Sequence, residues 1–358
     1  MEGIRRRGLT DAAYREAAAR LCAWYPAHAR DLPWRRDKDP YHVWVSEIML
    51  QQTRVEAVKD YYVRFLQAFP AVQDLARADE ETVLKLWEGL GYYSRARNLQ
   101  KAARRIAGRA DGQFPQTYEE IRALPGVGGY TAGAIASICM ELPEPAVDGN
   151  VLRVYARLTE ERGCTDKPAV RTRIREDLKR LYRCGSCGTL TQALMELGET
   201  VCLPKGTPGC SVCPLAELCL ARAHRTWTEF PVREAKKPRK TEARTVLLLC
   251  RENRTAVRKR TAPGLLHGLW EFPNFPGTAD AAGAAARAAE LGLAPQSVRQ
   301  ETGYTHIFTH IEWHMTVYRI ECGAQSPDFL WLTPAELAEK TAVPSAFRPC
   351  LRVLQRAQ

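Results

Sequence analysis

The sequence predicts a chain of two parts with different fold classes. A mainly α region covers residues 1–225 and a smaller α+β region covers 242–358, with a basic linker at 226–241. Three observations carry the prediction. A length of 358 residues leaves room for two ordinary domains. Apolar residues recur at helical spacing through nearly all of the first 220 positions. The pattern then changes after the exposed run from Pro231 to Lys240, which carries Arg233, Lys236, Lys237, Pro238 and Arg239.

Taken in order, residues 12–25 have helical periodicity, and Leu32-Pro33-Trp34-Arg35 breaks it. Asp39-Pro40 opens a second helix, because proline suits a first helical turn. Val43, Trp44, Ile48 and Met49 form its apolar stripe. Thr53 and Glu56 have capping-box spacing, so Gln51-Gln52-Thr53 reads as a break between helices. Helices follow over 80–88, 94–109 and 117–123, the last with a second capping-box pair, Thr117 and Glu120. Between the first two lies a glycine-flanked aromatic loop, Gly89-Leu90-Gly91-Tyr92-Tyr93. Further helices are expected over 130–140, 149–158, 169–182 and 189–201. In the second part, 245–249 and 316–320 read as strands and 279–291 as an Ala-rich helix, with a last helix over 345–356. No solenoid repeat is present.

Composition narrows the function classes. The formal net charge of +11 suits a polyanionic partner. No stretch approaches the roughly 20 apolar residues that span a bilayer, so no membrane role is expected. The N-terminus, with Arg5-Arg6-Arg7, lacks the apolar core of a secretory signal. The twelve cysteines are unevenly spread, with four crowded between Cys202 and Cys219. Crowding without a secretory signal favours a metal site in a reducing compartment, the cytoplasm, beside the nucleoid if the source is bacterial.

The stretch Leu124-Pro125-Gly126-Val127-Gly128-Gly129-Tyr130 joins two helical runs through a glycine turn. Gly126 and Gly128 allow positive φ and close approach of a ligand. Amides at the start of the following helix point outward, where a phosphate can bind. No lysine follows the last glycine, as a Walker loop would require. The motif reads as a grip on a DNA backbone or as a tight interhelical turn, and the charge of the chain favours DNA. Asp148, eighteen positions beyond Tyr130, is an N-cap for the helix from Gly149 or a catalytic carboxylate.

Cys202, Cys210, Cys213 and Cys219 have the spacing C-x7-C-x2-C-x5-C. Four thiolates on so short a loop suit a [4Fe–4S] cube, while Cys184-x2-Cys187 with Cys210-x2-Cys213 has the spacing of a zinc ribbon. Lys205 lies within the cysteine loop.

Together these pieces resemble the adenine DNA glycosylases of the MutY type, within the helix-hairpin-helix glycosylase superfamily. The residues that carry the resemblance are Trp44-Val45-Ser46-Glu47-Ile48-Met49-Leu50-Gln51-Gln52-Thr53, Gly89 to Asn98, the hairpin with Asp148-Gly149-Asn150, and the four cysteines. It is close over residues 12–222 and weaker beyond. One departure is the first cysteine gap, which is one residue longer than the family's usual spacing. The resemblance implies a helix-hairpin-helix catalytic domain with a [4Fe–4S] cluster on the 202–219 loop.

It also implies a substrate: double-stranded DNA with adenine mispaired with 8-oxoguanine or guanine, met by a monomer. Glu47 then protonates the adenine ring at N7 and handles the incoming water. Its apolar neighbours Val43 and Leu50 would raise its pKa. Asp148 stabilises the sugar cation, with Tyr130 and Asn150 beside it. Arg30, Trp34, Arg35, Leu50, Gln192 and Met195 match the adenine pocket. The base must leave the stack to reach Glu47, and Gln51, Gln52 and Tyr92 are placed to fill or wedge the gap. Endonuclease III-like relatives carry a lysine nucleophile where Tyr130 stands, so a monofunctional hydrolase is implied. A pyrimidine-lesion glycosylase/lyase and a non-catalytic DNA-binding protein on the same scaffold are the competing readings.

The second part resembles the Nudix-like domain with which this family reads 8-oxoguanine. Glu290-x-Gly292-Leu293 matches the end of a Nudix box, but Ala285, Ala286 and Ala289 replace its arginine and two metal-binding glutamates, which argues against a magnesium pyrophosphohydrolase. Phe308-Thr309-His310 matches the family's Phe-Ser-His loop, with Thr for Ser. His306, His310 and His314 are spaced by four, yet Ile311, Trp313, Met315 and Val317 alternate as a strand does, so no metal is expected there.

Overall fold

The structure is a computed structural model and describes residues 9–235 and 238–356. Lys236 and Lys237 of the expected linker, and Arg5-Arg6-Arg7, lie outside the described residues. Helices run in the order α1 (Asp11–His28), α2 (Pro40–Leu50), α3 (Val55–Ala68), α4 (Val72–Arg77), α5 (Glu80–Leu86), α6 (Ser94–Ala107), α7 (Tyr118–Arg122), α8 (Gly129–Met140), α9 (Gly149–Thr159), α10 (Pro168–Tyr182), α11 (Cys187–Thr200) and α12 (Leu220–Ala223). Then come β1 (Lys240–Arg251), β2 (Arg254–Lys259), β3 (Trp270–Glu271), β4 (Asn274–Pro276), α13 (Ala281–Glu290), β5 (Pro295–Ile307), β6 (Ile311–Cys322), β7 (Leu330–Leu332), α14 (Pro334–Lys340) and α15 (Arg348–Arg356). Contacts divide the chain into two units: residues 1–77 with 98–235, and 78–97 with 236–358. The segment 78–97 thus packs with the sheet unit, although it lies inside the helical run of the sequence.

In the helical unit, α1, α9, α10 and α11 bury one apolar cluster that includes Leu21, Val151, Leu178 and Leu194. Local chemistry sets the helix starts. Asp39 caps α2 by accepting the amides of Tyr41 and His42, with Pro40 in the first turn. Thr117 caps α7 from the amide of Glu120. The break at 51–54 is present, but Thr53 is not the cap: Arg54 precedes α3 and makes no side-chain cap bond, while Thr53 Oγ1 donates to the Gln51 carbonyl. Gln52 turns the chain there with φ of 58°. In the hairpin, Gly126 has φ of +75°, and a Cβ on it would lie 2.7 Å from Asn98 Cβ. Gly128 is the N-cap of α8 without a side-chain cap bond, beside open space.

In the sheet unit the strand order is β3-β2-β1-β6-β5, with β4 paired to β1 and β7 to β2. β1 and β6 are parallel and the other pairs antiparallel. Alternation divides the side chains between two faces. Val246, Leu248, Cys250, Trp313, Met315 and Val317 join α14 and α15 in one core. Leu247, Leu249, Tyr318 and Ile320 join α13 in the other. His306, His310 and His314 fall on β5, in the turn and on β6. The expected final helix over 345–356 is a 3-10 turn followed by α15, because α15 starts at Arg348.

The packing that matters most for the site is the crossing of α9 and α11. Gly198 is buried in α11, and a Cβ there would sit 2.5 Å from Asn150 Cβ and 3.1 Å from its Cα. Only glycine lets α11 approach the start of α9 so closely. Gly198→Ala should therefore lower stability by about 1–3 kcal/mol through overpacking. An unchanged melting temperature would mean that the two helices can separate at no cost.

Candidate active site

A cavity of about 980 Å³ opens within the helical unit, lined by residues from the 30–38 segment, α2, the starts of α8 and α9, and α11. Glu47, Tyr130, Asp148 and Asn150 line it, as do Arg30, Trp34, Arg35, Leu50, Gln52, Gln192 and Met195. Every residue expected for catalysis or the adenine pocket is thus brought to one cavity by three distant stretches of chain.

Glu47 projects from α2 and is only 6% exposed. Tyr130, near the start of α8, donates its hydroxyl to Glu47 Oε2 at 2.6 Å. Burial first, and the charge of Asp148 second among the raising effects, push the Glu47 carboxyl up; the Tyr130 hydrogen bond and Arg35 oppose them, leaving it at about 7. Burial and the adjacent carboxylates hold the Tyr130 phenol far above its ordinary range, so it stays a donor.

Asp148 is the N-cap of α9. Its Oδ1 accepts the Val151 amide at 2.7 Å, and its Oδ2 accepts Asn150 Nδ2 at 3.1 Å. Burial raises its carboxyl, and these donors act against that rise. It is both a cap and a wall of the cavity, so the two sequence readings of Asp148 coexist. The two carboxyls differ in their support: Asp148 has donors that favour the anion, while Glu47 is mostly desolvated.

On the α11 side, the Glu196 carboxylate has no exposed surface and takes Arg30 Nε at 2.6 Å and an Arg35 terminal nitrogen at 2.7 Å. Burial pushes Glu196 up, but the hydrogen bonds from Arg30 and Arg35 outweigh it and hold the carboxyl below its ordinary range. An unpaired buried carboxylate would be costly, so this pairing holds both arginines at the cavity wall. Trp34 is fixed edge-on against Tyr62, with centroids 5.5 Å apart. Tyr25 donates to Gln192 Oε1 at 3.0 Å, which orients that amide.

Residues 45–180 match the family described as HhH-GPD superfamily base excision DNA repair protein, and residues 244–353 match the NUDIX domain. The adenine DNA glycosylase of Rattus norvegicus is 34% identical over 403 residues, covering 94% of this chain and 77% of the relative. The chain belongs to the adenine DNA glycosylase family. Its human member is 34% identical over 94% of this chain and 74% of its own length. Among solved structures, a thermostable thymine-DNA glycosylase aligns with TM-score 0.54 and 26% identity, covering 61% of this chain and all of that one. An endonuclease III–DNA complex at 23% identity and TM-score 0.51, covering 61% of this chain and 99% of its own, shows the same fold.

In this adenine DNA glycosylase family member, α9 joins the cavity to the cysteine loop. Arg153 donates to Asn150 Oδ1, to the Gly198 carbonyl and to the Cys202 carbonyl, each at 2.7 Å. One turn on, Arg157 lies 3.3 Å from Cys202 Sγ and donates to the Leu203 carbonyl at 2.9 Å. The thiols of Cys210, Cys213 and Cys219 are each raised, by burial first and then by neighbours that include Cys202; Cys213 reaches about 12. The four sulfurs therefore share one neighbourhood. Among the described residues, no three His, Cys, Asp or Glu side chains converge on a position for a single metal ion. A [4Fe–4S] cube takes one thiolate at each of its four irons, which needs a wider spacing than one tetrahedral ion. Cys187 faces elsewhere, with its thiol donating to the Tyr182 carbonyl and lying near Cys22, so the zinc-ribbon pairing with Cys210 and Cys213 has no geometric support.

The expected DNA-facing residues fall in both units. Gln51 Nε2 meets Thr131 Oγ1 at 3.4 Å, and Gln52 lines the cavity. Gly126 and Gly128 form the hairpin turn. In the sheet unit, Tyr92 is 45% exposed with φ of 48°, and its hydroxyl lies 2.5 Å from Thr309 Oγ1. Phe308-Thr309-His310 forms the turn between β5 and β6, with Phe308 edge-on to Trp313 at 4.9 Å.

Sequence reading missed four residues that support the cavity: Tyr25, Arg153, Glu196 and Glu199. Glu196 had a usable signal, since two arginines assigned to one pocket need a counter-charge and it follows Gln192 by one helical turn. Glu199 also lines the cavity, 3.4 Å from Asn150 Nδ2. Nothing in the pattern marked Tyr25 or Arg153.

The raised Glu47 carboxyl has a consequence for stability. Its folded value of about 7 exceeds the ordinary 4.5, so its favourable contribution is complete below about pH 4.5 and is lost as pH rises through 7. Glu47→Gln should therefore gain stability over the parent on going from pH 5 to pH 8, by about 1–3 kcal/mol in calorimetry. An advantage that does not change with pH would show that Glu47 ionises normally.

Proposed function

We propose that the chain is a monofunctional, monomeric glycosylase that hydrolyses the N-glycosidic bond of adenine paired with 8-oxoguanine, or with guanine, in duplex DNA. The observation that carries this is the Glu47–Tyr130 pair facing Asp148 in one cavity, with a carboxyl poised near neutrality. Adenine flips out of the stack and enters the cavity beside Arg30, Trp34, Arg35, Leu50, Gln192 and Met195. Protonated Glu47 donates its proton to N7, so that the electron pair of the breaking C1′–N9 bond can enter a neutral leaving base. The Asp148 carboxylate stabilises the oxocarbenium ion that forms. Water then adds at C1′, and Glu47 takes its proton back. Tyr130 hydrogen-bonds Glu47 throughout and offers no amine, so no Schiff base forms with the sugar.

Around this chemistry the hairpin at Gly126 and Gly128 presents α8 amides to a backbone phosphate. Gln51, Gln52 and Tyr92 occupy the gap left by the flipped base. Residues 1–225 serve as the catalytic domain and 242–358 as the lesion reader, through Phe308, Thr309 and His310. The 8-oxoguanine edge carries a hydrogen at N7 and an oxygen at C8, and the Thr309 hydroxyl can answer both kinds of group. Cys202, Cys210, Cys213 and Cys219 would hold a [4Fe–4S] cluster, which would rigidify the loop that carries Lys205. The need for free thiolates suits a reducing cytoplasm.

A duplex with one adenine opposite 8-oxoguanine tests the function directly. Free adenine and an alkali-labile site should appear, and borohydride should trap no covalent complex. Glu47→Gln should bind the duplex but release no adenine. Spontaneous strand cleavage with efficient trapping would favour the glycosylase/lyase reading, and binding without release by the parent would favour the non-catalytic one. Thr309→Val with His310→Ala should reduce the preference for adenine opposite 8-oxoguanine over adenine opposite guanine by roughly 1–3 kcal/mol in single-turnover kinetics. Equal preference would place lesion reading elsewhere.

The metal content gives a separate test. Purified chain should contain about four irons. Cys213→Ser should lower that content and destabilise the loop. Stoichiometric zinc without iron would overturn the cluster.

A further inference from the structure

A second polar cavity, of about 830 Å³, lies in the sheet unit between α15 and the β5–β6 hairpin. Four arginines line it, Arg299 of β5, Arg319 of β6, and Arg352 and Arg356 of α15, against two carboxylates, Glu301 and Glu321. Arg299 and Arg319 are direct cross-strand partners. Like charges placed opposite each other weaken a strand pair. Each is relieved on its own strand, Arg299 by Glu301 at 3.1 Å and Arg319 by Glu321 at 2.9 Å. Among the described residues, Arg352 and Arg356 form no ion pair, and both are exposed. A smaller depression of about 420 Å³ shares Arg319 and continues past Leu354 of α15 to Glu252 and Arg254, the latter paired with Glu336 at 3.0 Å.

Three elements thus bring four guanidinium groups to one groove with only two counter-charges. Folding gains nothing from that surplus, since neutral residues at 352 and 356 would repel less. The surplus is instead matched by an external polyanion. We propose that this groove holds the sugar–phosphate backbone of duplex DNA outside the base pair under repair. Guanidinium forks bind phosphate oxygens in pairs. Arg352 and Arg356 stand one helical turn apart, about 6 Å along α15, so they can engage successive phosphates. Arg299 lies eight residues along β5 from Ile307, roughly 26 Å from the end of the hairpin. The contact is therefore distinct from that of the turn at 308–310. It is sequence-independent and serves to hold and scan undamaged DNA.

This inference rests on the DNA reading of the chain but not on adenine excision. Its test is the salt dependence of affinity for a lesion-free duplex, measured by fluorescence anisotropy between 50 and 200 mM salt. Each phosphate contact contributes roughly 0.9 to the slope of log affinity against log salt. Arg352→Gln with Arg356→Gln should reduce the steepness by about 1.8, and the double change to Glu should reduce affinity further. Arg352→Lys with Arg356→Lys should restore the slope, which a merely structural role would not predict. Adenine release by saturating enzyme in a single turnover should be the same in all variants. Slopes equal to that of the parent in both the Gln and the Glu variants would overturn the proposal. So would loss of binding to a polyglutamate peptide with an unchanged DNA slope, which would make the groove a dock for an acidic protein. A parent that shows the slope difference but releases no adenine would sink the excision reading and leave the groove standing.

Discussion

The active cavity depends above all on the burial of one carboxyl. Glu47 sits on a helix whose other residues from Val43 to Met49 are also buried, so α2 cannot turn it to solvent without exposing its own core. Desolvation disfavours the anion, and Tyr130 returns part of the lost solvation through one hydrogen bond. The balance leaves an acid that can both give and recover a proton near neutral pH. A tighter set of donors would make Glu47 a fixed anion, and no donor would make it a permanently neutral acid.

The second requirement is to hold an anion close by. Asp148 meets it by being the N-cap of α9, where a backbone amide and the Asn150 side chain support its charge. The same helix continues through Arg153 and Arg157 to the cysteine loop, so Asp148 and Asn150 are positioned from both ends. Gly198 completes this arrangement by letting α11 come against Asn150. The carboxylate on α11, Glu196, then fixes the two arginines opposite. Fold and site are therefore built from the same contacts.

The sheet unit solves a different problem. Strict alternation along β1 and β6 fills cores on both faces, and Phe308 of the β5–β6 turn packs against one of them. Tyr92 comes from sequence far before the sheet, yet meets Thr309 in the same unit. Arg95 supports the Tyr92 loop by donating to the carbonyls of Leu90 and Gly91, each at 3.1 Å, and lies over the rings of Trp87 and Tyr92. The aromatic is thus presented on a braced loop.

Apart from the role of Glu47, which came only through the family resemblance, sequence by itself determined the helical periods, the glycine turn, the helix start at Pro40, the capping signal at Thr117, the two fold classes, the cap position of Asp148 and the spacing of the four cysteines. These are legible because they depend on local rules: side-chain period, proline and glycine torsions, short-range capping, and ligand spacing. The short strands β3, β4 and β7 were not legible, since two or three residues carry no period and exist only through pairing. The segment 78–97 reads as one more stretch of the helical part, and only its packing assigns it to the sheet unit. Tertiary structure alone decided that Glu196 holds Arg30 and Arg35, that Tyr130 bonds Glu47, and that Arg153 reaches Cys202. Each joins residues 49 to 166 positions apart or lies on a helix face whose partner the sequence does not name. Buried polar groups must find partners wherever the fold brings donors and acceptors together, so their pairing belongs to the folded chain.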